Sequence, residues 1–317
     1  MNRRSFLILS LVTAITASGL MAAVVVQDRK VKKVKRVKRP TFTQRDWDGI
    51  YFNDLFAEGL VGQRPSVADQ VAAQAQAENT GEASASGEFA WTNYISGSTI
   101  EDEVKALQSQ LIKDITTPVK FKSEYNKAHQ SFSMLSMLFA IIREYDGDVR
   151  WERSADVAQV SFERAAANSR VGTIQAYESC KRRKEDLQEL IRGGNFAGQE
   201  KAPDELDWSI VVDRTPIMKR LEISNAQLKQ LTANEGSFKK EIETIAHESE
   251  LVAAMAETII RENMTDAEDD GYVEFAKAMS AAAVSVTKAC ENEDYDAASN
   301  AVNLIGQSCS NCHDEWR

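Results

Sequence analysis

The chain has 317 residues, 43% of them hydrophobic, enough for one large or two modest domains with real cores. Fifteen Gly and five Pro are few for that length; with plentiful Ala, Glu, Lys, Gln and Leu and no sustained apolar–polar alternation, they predict an all-α protein. Residues 1–39 hold ten of the 38 basic residues and one of the 48 acidic ones, so behind the net charge of −10 lies a body with 28 basic against 47 acidic residues. Such a body excludes nucleic acid as a partner, because phosphates demand a basic surface, and suits solubility or a basic partner protein.

In chain order, residues 1–26 place Arg3 and Arg4 before an apolar run from Phe6 to Val26, the pattern of a secretory signal or an uncleaved signal anchor. Ala17-Ser18-Gly19 and Leu20-Met21-Ala22 are the small-residue cleavage candidates, and the RRSFL string is only a fragment of a twin-arginine motif. Residues 29–39 carry eight positive charges, suited to an anionic membrane surface or to a solvated linker. An aromatic-rich stretch over 40–62 and an Ala/Gln/Ser/Gly-rich stretch over 64–90 read as a short packing element and a flexible linker, so that 27–97 carries no folded domain.

Two helical blocks come next. The spacing predicts helices over 99–115, 119–145, 150–169 and 172–193 in the first, with Thr99 as an N-cap and Gly193-Gly194 as a stop. Residues 196–212 form a connector. The second block, 213–317, has helices over 214–233, 237–263, 269–292 and 294–316, each with apolar residues at alternating steps of three and four, as in Tyr295, Ala298, Val302, Ile305, Cys309, Cys312 and Trp316. Four such helices joined by short turns specify an antiparallel four-helix bundle. Cys180 and Cys290, isolated on helical faces, read as small buried hydrophobes or as a pair in an oxidising compartment.

The chemistry concentrates in Cys309-Ser310-Asn311-Cys312-His313. C-x-x-C-H is the attachment pattern of haem c: two thiols three apart on one helical face each form a thioether to one porphyrin, and the following imidazole meets the iron axially. Both cysteines fall on the apolar stripe, which places the haem inside the bundle. The competing readings are a zinc site, which wants four ligands and finds only His129 and His247 as further histidines, and a redox dithiol, which expects a βαβ context.

The end of the chain, Gly306 to Arg317, resembles the last helix of the cytochrome c prime family, in which the haem motif near the C-terminus is followed by an aromatic residue and Arg, here Trp316 and Arg317. More loosely, the chain resembles multi-block cytochromes of planctomycete type. The first resemblance covers about residues 213–317 and implies a four-helix bundle with Arg317 on the proximal side of the haem. It also implies Arg on the first helix with the distal residue four positions on, which Arg214 and Met218 match. Arg214 would then neutralise a propionate, and Met218 would either ligate the iron, favouring electron transfer, or stand as a core residue beside Ile217 and Leu221. His247 is a rival sixth ligand, with a surface or capping role as the simpler reading.

The first block lacks C-x-x-C-H and reads as a haemless partner or a binding face. Haem c attachment requires export, although by the positive-inside rule the basic run after residue 26 would hold the rest of the chain in the cytoplasm; the more specific haem motif decides for an extracytoplasmic location. The functional expectation is a monohaem electron carrier with redox partner proteins and, by family analogy, a homodimer. The alternative is a five-coordinate module binding NO or CO. A peroxidase-like enzyme ranks last, for want of a positioned distal acid–base pair.

Overall fold

A computed structural model describes residues 89–316, except 197, 199 and 200. The signal-like segment, the basic run, the aromatic stretch, most of the expected linker and Arg317 lie outside the described residues. Among the described residues the protein is all-α, with no strand, and no helix is long and apolar enough to cross a membrane.

In the N-terminal block, α1 spans Gly97–Asp114, α2 Pro118–Arg143, α3 Ala155–Asn168 and α4 Ile174–Ile191. Ser96, rather than Thr99, caps α1: its hydroxyl accepts the Thr99 backbone N–H at 3.2 Å. The helix thereby gains an earlier first turn and Thr99 joins the buried face. Thr117 and Thr173 cap α2 and α4 in the same way, Pro118 occupies the first turn of α2, and Gly193 takes a φ of 91° just past α4, as a helix stop requires. From Ser131 to Ile142 every residue of α2 is buried. A helix enclosed all round must be central, and α2 indeed touches α1, α3, α4 and the later helices α5 (Trp208–Val211) and α6 (Arg214–Leu231). α1 also meets α4, so the four helices of the block form a closed ring.

The C-terminal block repeats this neighbour order. α6 packs on α8 (Ile242–Thr258), α8 on α9 (Asp270–Glu291), α9 on α10 (Tyr295–Glu315), and α10 returns to α6. Small residues permit the close approach of the middle pair: Ala253, Ala254 and Ala256 on α8 and Ala276, Ala282 and Ala283 on α9 are all buried. The expected single helix over 237–263 is two, α7 (Glu235–Lys240) and α8, because Glu241 leaves helical geometry at φ −119°, ψ 22°. Phe238 remains buried on the short piece, so the apolar stripe survives the break.

The connecting segments carry short structure of their own. Just beyond the stretch read as linker (64–90), a 3-10 turn spans Trp91–Asn93, and Trp91 is 1% exposed. The connector 196–212 contains α5, which buries Trp208 and Val211 against α2 and α3. Trp91 and Trp208 meet at 5.7 Å between ring centroids, so two segments of low helical signal pack on each other.

Candidate functional site

The C-x-x-C-H motif occupies the last turns of α10. The chain there is held by Trp316, whose backbone N–H donates to the Cys312 carbonyl at 2.8 Å and whose ring meets Tyr272 and Phe275 of α9 edge-on at 6.2 and 5.7 Å. Gly271 makes room for that ring, since a Cβ at this position would lie 2.8 Å from the Trp316 indole. Cys309 and Cys312 are half-buried and His313 is exposed. The motif therefore borders a groove and is not enclosed in the core, which corrects the expectation that the whole stripe is buried. Along the stripe Ala298, Val302 and Ile305 are covered, whereas Cys309 and Cys312, further on, face the opening between α10 and α6.

The groove has a volume of about 450 Å³, within the range of small-molecule sites. α10 forms one wall with Ser308, Cys309, Cys312 and His313, and α6 faces it with Arg214, Met218 and Asn225. The α6 wall extends eleven residues from Arg214 to Asn225, or about 16 Å at 1.5 Å per residue. The structure thus brings Cys309, Cys312, His313, Arg214 and Met218 to one groove. His247 is elsewhere: it packs toward the N-terminal block, its Nε2 3.3 Å from Glu103 Oε2, so it does not serve as a rival ligand. Sequence reasoning missed Met279, Asn225 and Ser308 as lining residues. Asn225 was accessible in principle, because Met218, Glu222 and Asn225 continue one helical face by steps of four and three.

Arg214 is engaged in the groove mouth. Its Nη2 donates to the Thr265 carbonyl and to Asp266 Oδ2, and its guanidinium lies 5.0 Å from the Tyr272 ring centre. Burial pushes the Tyr272 phenol up to about 12, against the pull of Arg214. Burial likewise raises both motif thiols above the usual cysteine range, with Lys229 beside Cys309 and Arg214 beside Cys312 opposing the rise. Cys309 Sγ lies 3.6 Å from Met279 Sδ, and all four cysteines are free thiols.

Three buried polar atoms on the groove wall have no partner: Arg214 Nε, Asn225 Oδ1 and Ser308 Oγ. Buried polar groups are nearly always paired, so these three are exceptions within the groove wall. The donor set also fits a covalent haem: two thiols three residues apart, an imidazole next to them, a thioether on the facing helix and a guanidinium at the mouth. Among the described residues no three or more His, Cys, Asp or Glu side chains gather as a metal site, so no closed zinc ligand set is assembled there. Comparison with family models, curated proteins and solved structures found no match.

Proposed function

We propose that the protein is an exported monohaem c-type cytochrome that passes single electrons between partner proteins outside the cytoplasm. The observation that carries this reading is the convergence of Cys309, Cys312 and His313 with Met218 and Arg214 on one groove of haem-like length, although these residues come from opposite ends of the C-terminal block. When bound, haem supplies reversible one-electron chemistry at its iron.

This chain's residues divide the remaining work. Cys309 and Cys312 would hold the porphyrin by thioethers, and His313 and Met218 would offer an imidazole and a thioether from α10 and α6. Arg214, paired with Asp266 at the groove mouth, would be the residue to neutralise a propionate. The raised thiols of the folded chain are poor nucleophiles, which fits attachment before folding is complete. The resemblance of Gly306 to Arg317 to the cytochrome c prime family supports the same reading, as does the signal-like segment over 1–26. The acidic body favours basic redox partners.

The test is the absorption spectrum of protein produced with a haem c maturation system. Covalent low-spin haem with a sulfur-to-iron band that disappears in Met218→Ala supports the electron-carrier reading. High-spin haem that takes up CO rapidly replaces it with the gas-binding alternative.

A further inference from the structure

The N-terminal block has no haem motif, yet it grips the helix that carries Met218. Three contacts bracket that residue. Arg170 binds Asp213 at 2.6 Å, one residue before α6 begins. Gln130 Nε2 donates to the Pro216 carbonyl at 2.7 Å, two residues before Met218. Two residues after it, Arg220 is held between the blocks: its Nε donates to Glu103 Oε1 of α1 at 3.0 Å, and its Nη1 and Nη2 donate to the Glu248 carboxylate of α8 at 2.8 and 3.0 Å. His247 completes the cluster against Glu103.

The side chains of Arg220, Glu103 and Glu248 are 12%, 7% and 8% exposed, so these charges work in a poorly solvated setting where geometry is tightly enforced. Two residues along a helix turn about 200°, which puts Arg220 on the far side of α6 from Met218. One face of α6 therefore lines the groove while the other is bolted to the N-terminal block. Where that block meets the C-terminal ring, α1 touches α8 and α2 touches α6.

We infer that the N-terminal block is a brace for the Met218 wall of the groove, and that Glu103, Gln130 and Arg220 are positioning residues that set the distance between α6 and α10. The inference rests on the proposed haem site only for the role of Met218; the bracing of α6 stands or falls without it. The same charges could merely glue two blocks together, in which case loosening them would destabilise the fold evenly. A brace predicts a local effect.

The experiment compares the full chain, haem-loaded and haem-free, as wild type, Glu103→Gln and Gln130→Ala, by amide hydrogen exchange and by CO association with the reduced haem-loaded form. Both variants are expected to exchange α6 amides around Met218 roughly tenfold faster while α9 and α10 keep wild-type protection, and to bind CO several-fold faster. Gln130→Ala removes a neutral bond and keeps the result readable if Glu103→Gln folds poorly. Wild-type exchange in α6 in both variants, or an equal acceleration in α6, α9 and α10, would overturn the inference. If the chain proves to hold no haem, selective loosening of α6 in the haem-free variants still supports the brace, whereas the reading of the groove falls.

Discussion

Replacing Trp91 by Ala tests whether residues 89–95 belong to the folded body. The ring is 1% exposed, and its Nε1 donates to Glu144 Oε2 at 3.2 Å. Phe89 meets it edge-on at 4.9 Å, Trp208 packs at 5.7 Å, and the Arg261 guanidinium lies 4.6 Å from its centre. Truncating a buried Trp costs about 3–5 kcal/mol through lost transfer energy and the cavity left behind. Loss of the Glu144 bond and of the cation–π contact belongs largely within that figure, so a total near 4 kcal/mol is expected, against a typical stability of about 5–15 kcal/mol for a domain. Trp91→Phe keeps most of the apolar area and loses chiefly the hydrogen bond to a charged acceptor, for about 1.5–3 kcal/mol. Urea unfolding of the full chain, followed by far-UV circular dichroism, gives both values from the midpoints. A Trp91→Ala protein within about 1 kcal/mol of wild type would refute the reasoning, since it would mean that the 3-10 turn rests on the surface.

Further outcomes concern the site and its surroundings. In protein made without haem, thiol alkylation at mildly alkaline pH should be slow at Cys180 and Cys290, which burial pushes to about 12 and about 11, and faster at the half-buried Cys312; equal rates at all four would contradict the assigned burial. His247 loses solvation in its site, but its bond and charge contact with Glu103 outweigh that loss and hold its pKa above the usual value. Its contribution to stability is therefore full below the unfolded-state pKa and fades as pH rises through the higher folded one. Wild type should lose stability from neutral to mildly alkaline pH by a step that is absent in His247→Gln, measured by denaturant midpoints across that range. Gly271→Ala should displace the Trp316 ring and destabilise the end of α10, read as increased Trp exposure to a fluorescence quencher, whereas Gly306→Ala meets only the flexible end of Lys229 and should cost under about 1 kcal/mol.

Much of the C-terminal block was legible because its signals are local. Pro216 and the Ile217–Leu221–Leu228 stripe marked α6 from Arg214, and the three–four stripe from Tyr295 marked α10 to within a residue. What the pattern could not show was that α6 and α10 stand apart at the motif, so that Cys309 and Cys312 border a groove instead of lying in the core. The break at Glu241 was invisible because Phe238 and Ile245 keep the same face on both sides of it. The Glu103–Arg220 pair had no signal in the sequence, since the partners lie 117 residues apart and burial of an ion pair leaves no mark in local spacing. Trp91 was lost in a polar, low-complexity neighbourhood for the same reason: its partners Glu144, Trp208 and Arg261 are all distant in sequence.

The most direct test of the haem reading is the intact mass and spectrum of the mature protein produced with haem c maturation machinery. The account predicts a mass increment of one haem that survives acid extraction, located on the peptide holding Cys309 and Cys312, absent from a Cys309→Ser/Cys312→Ser protein, and accompanied by a low-spin spectrum. An unmodified mass, with both thiols free to alkylate, would contradict it.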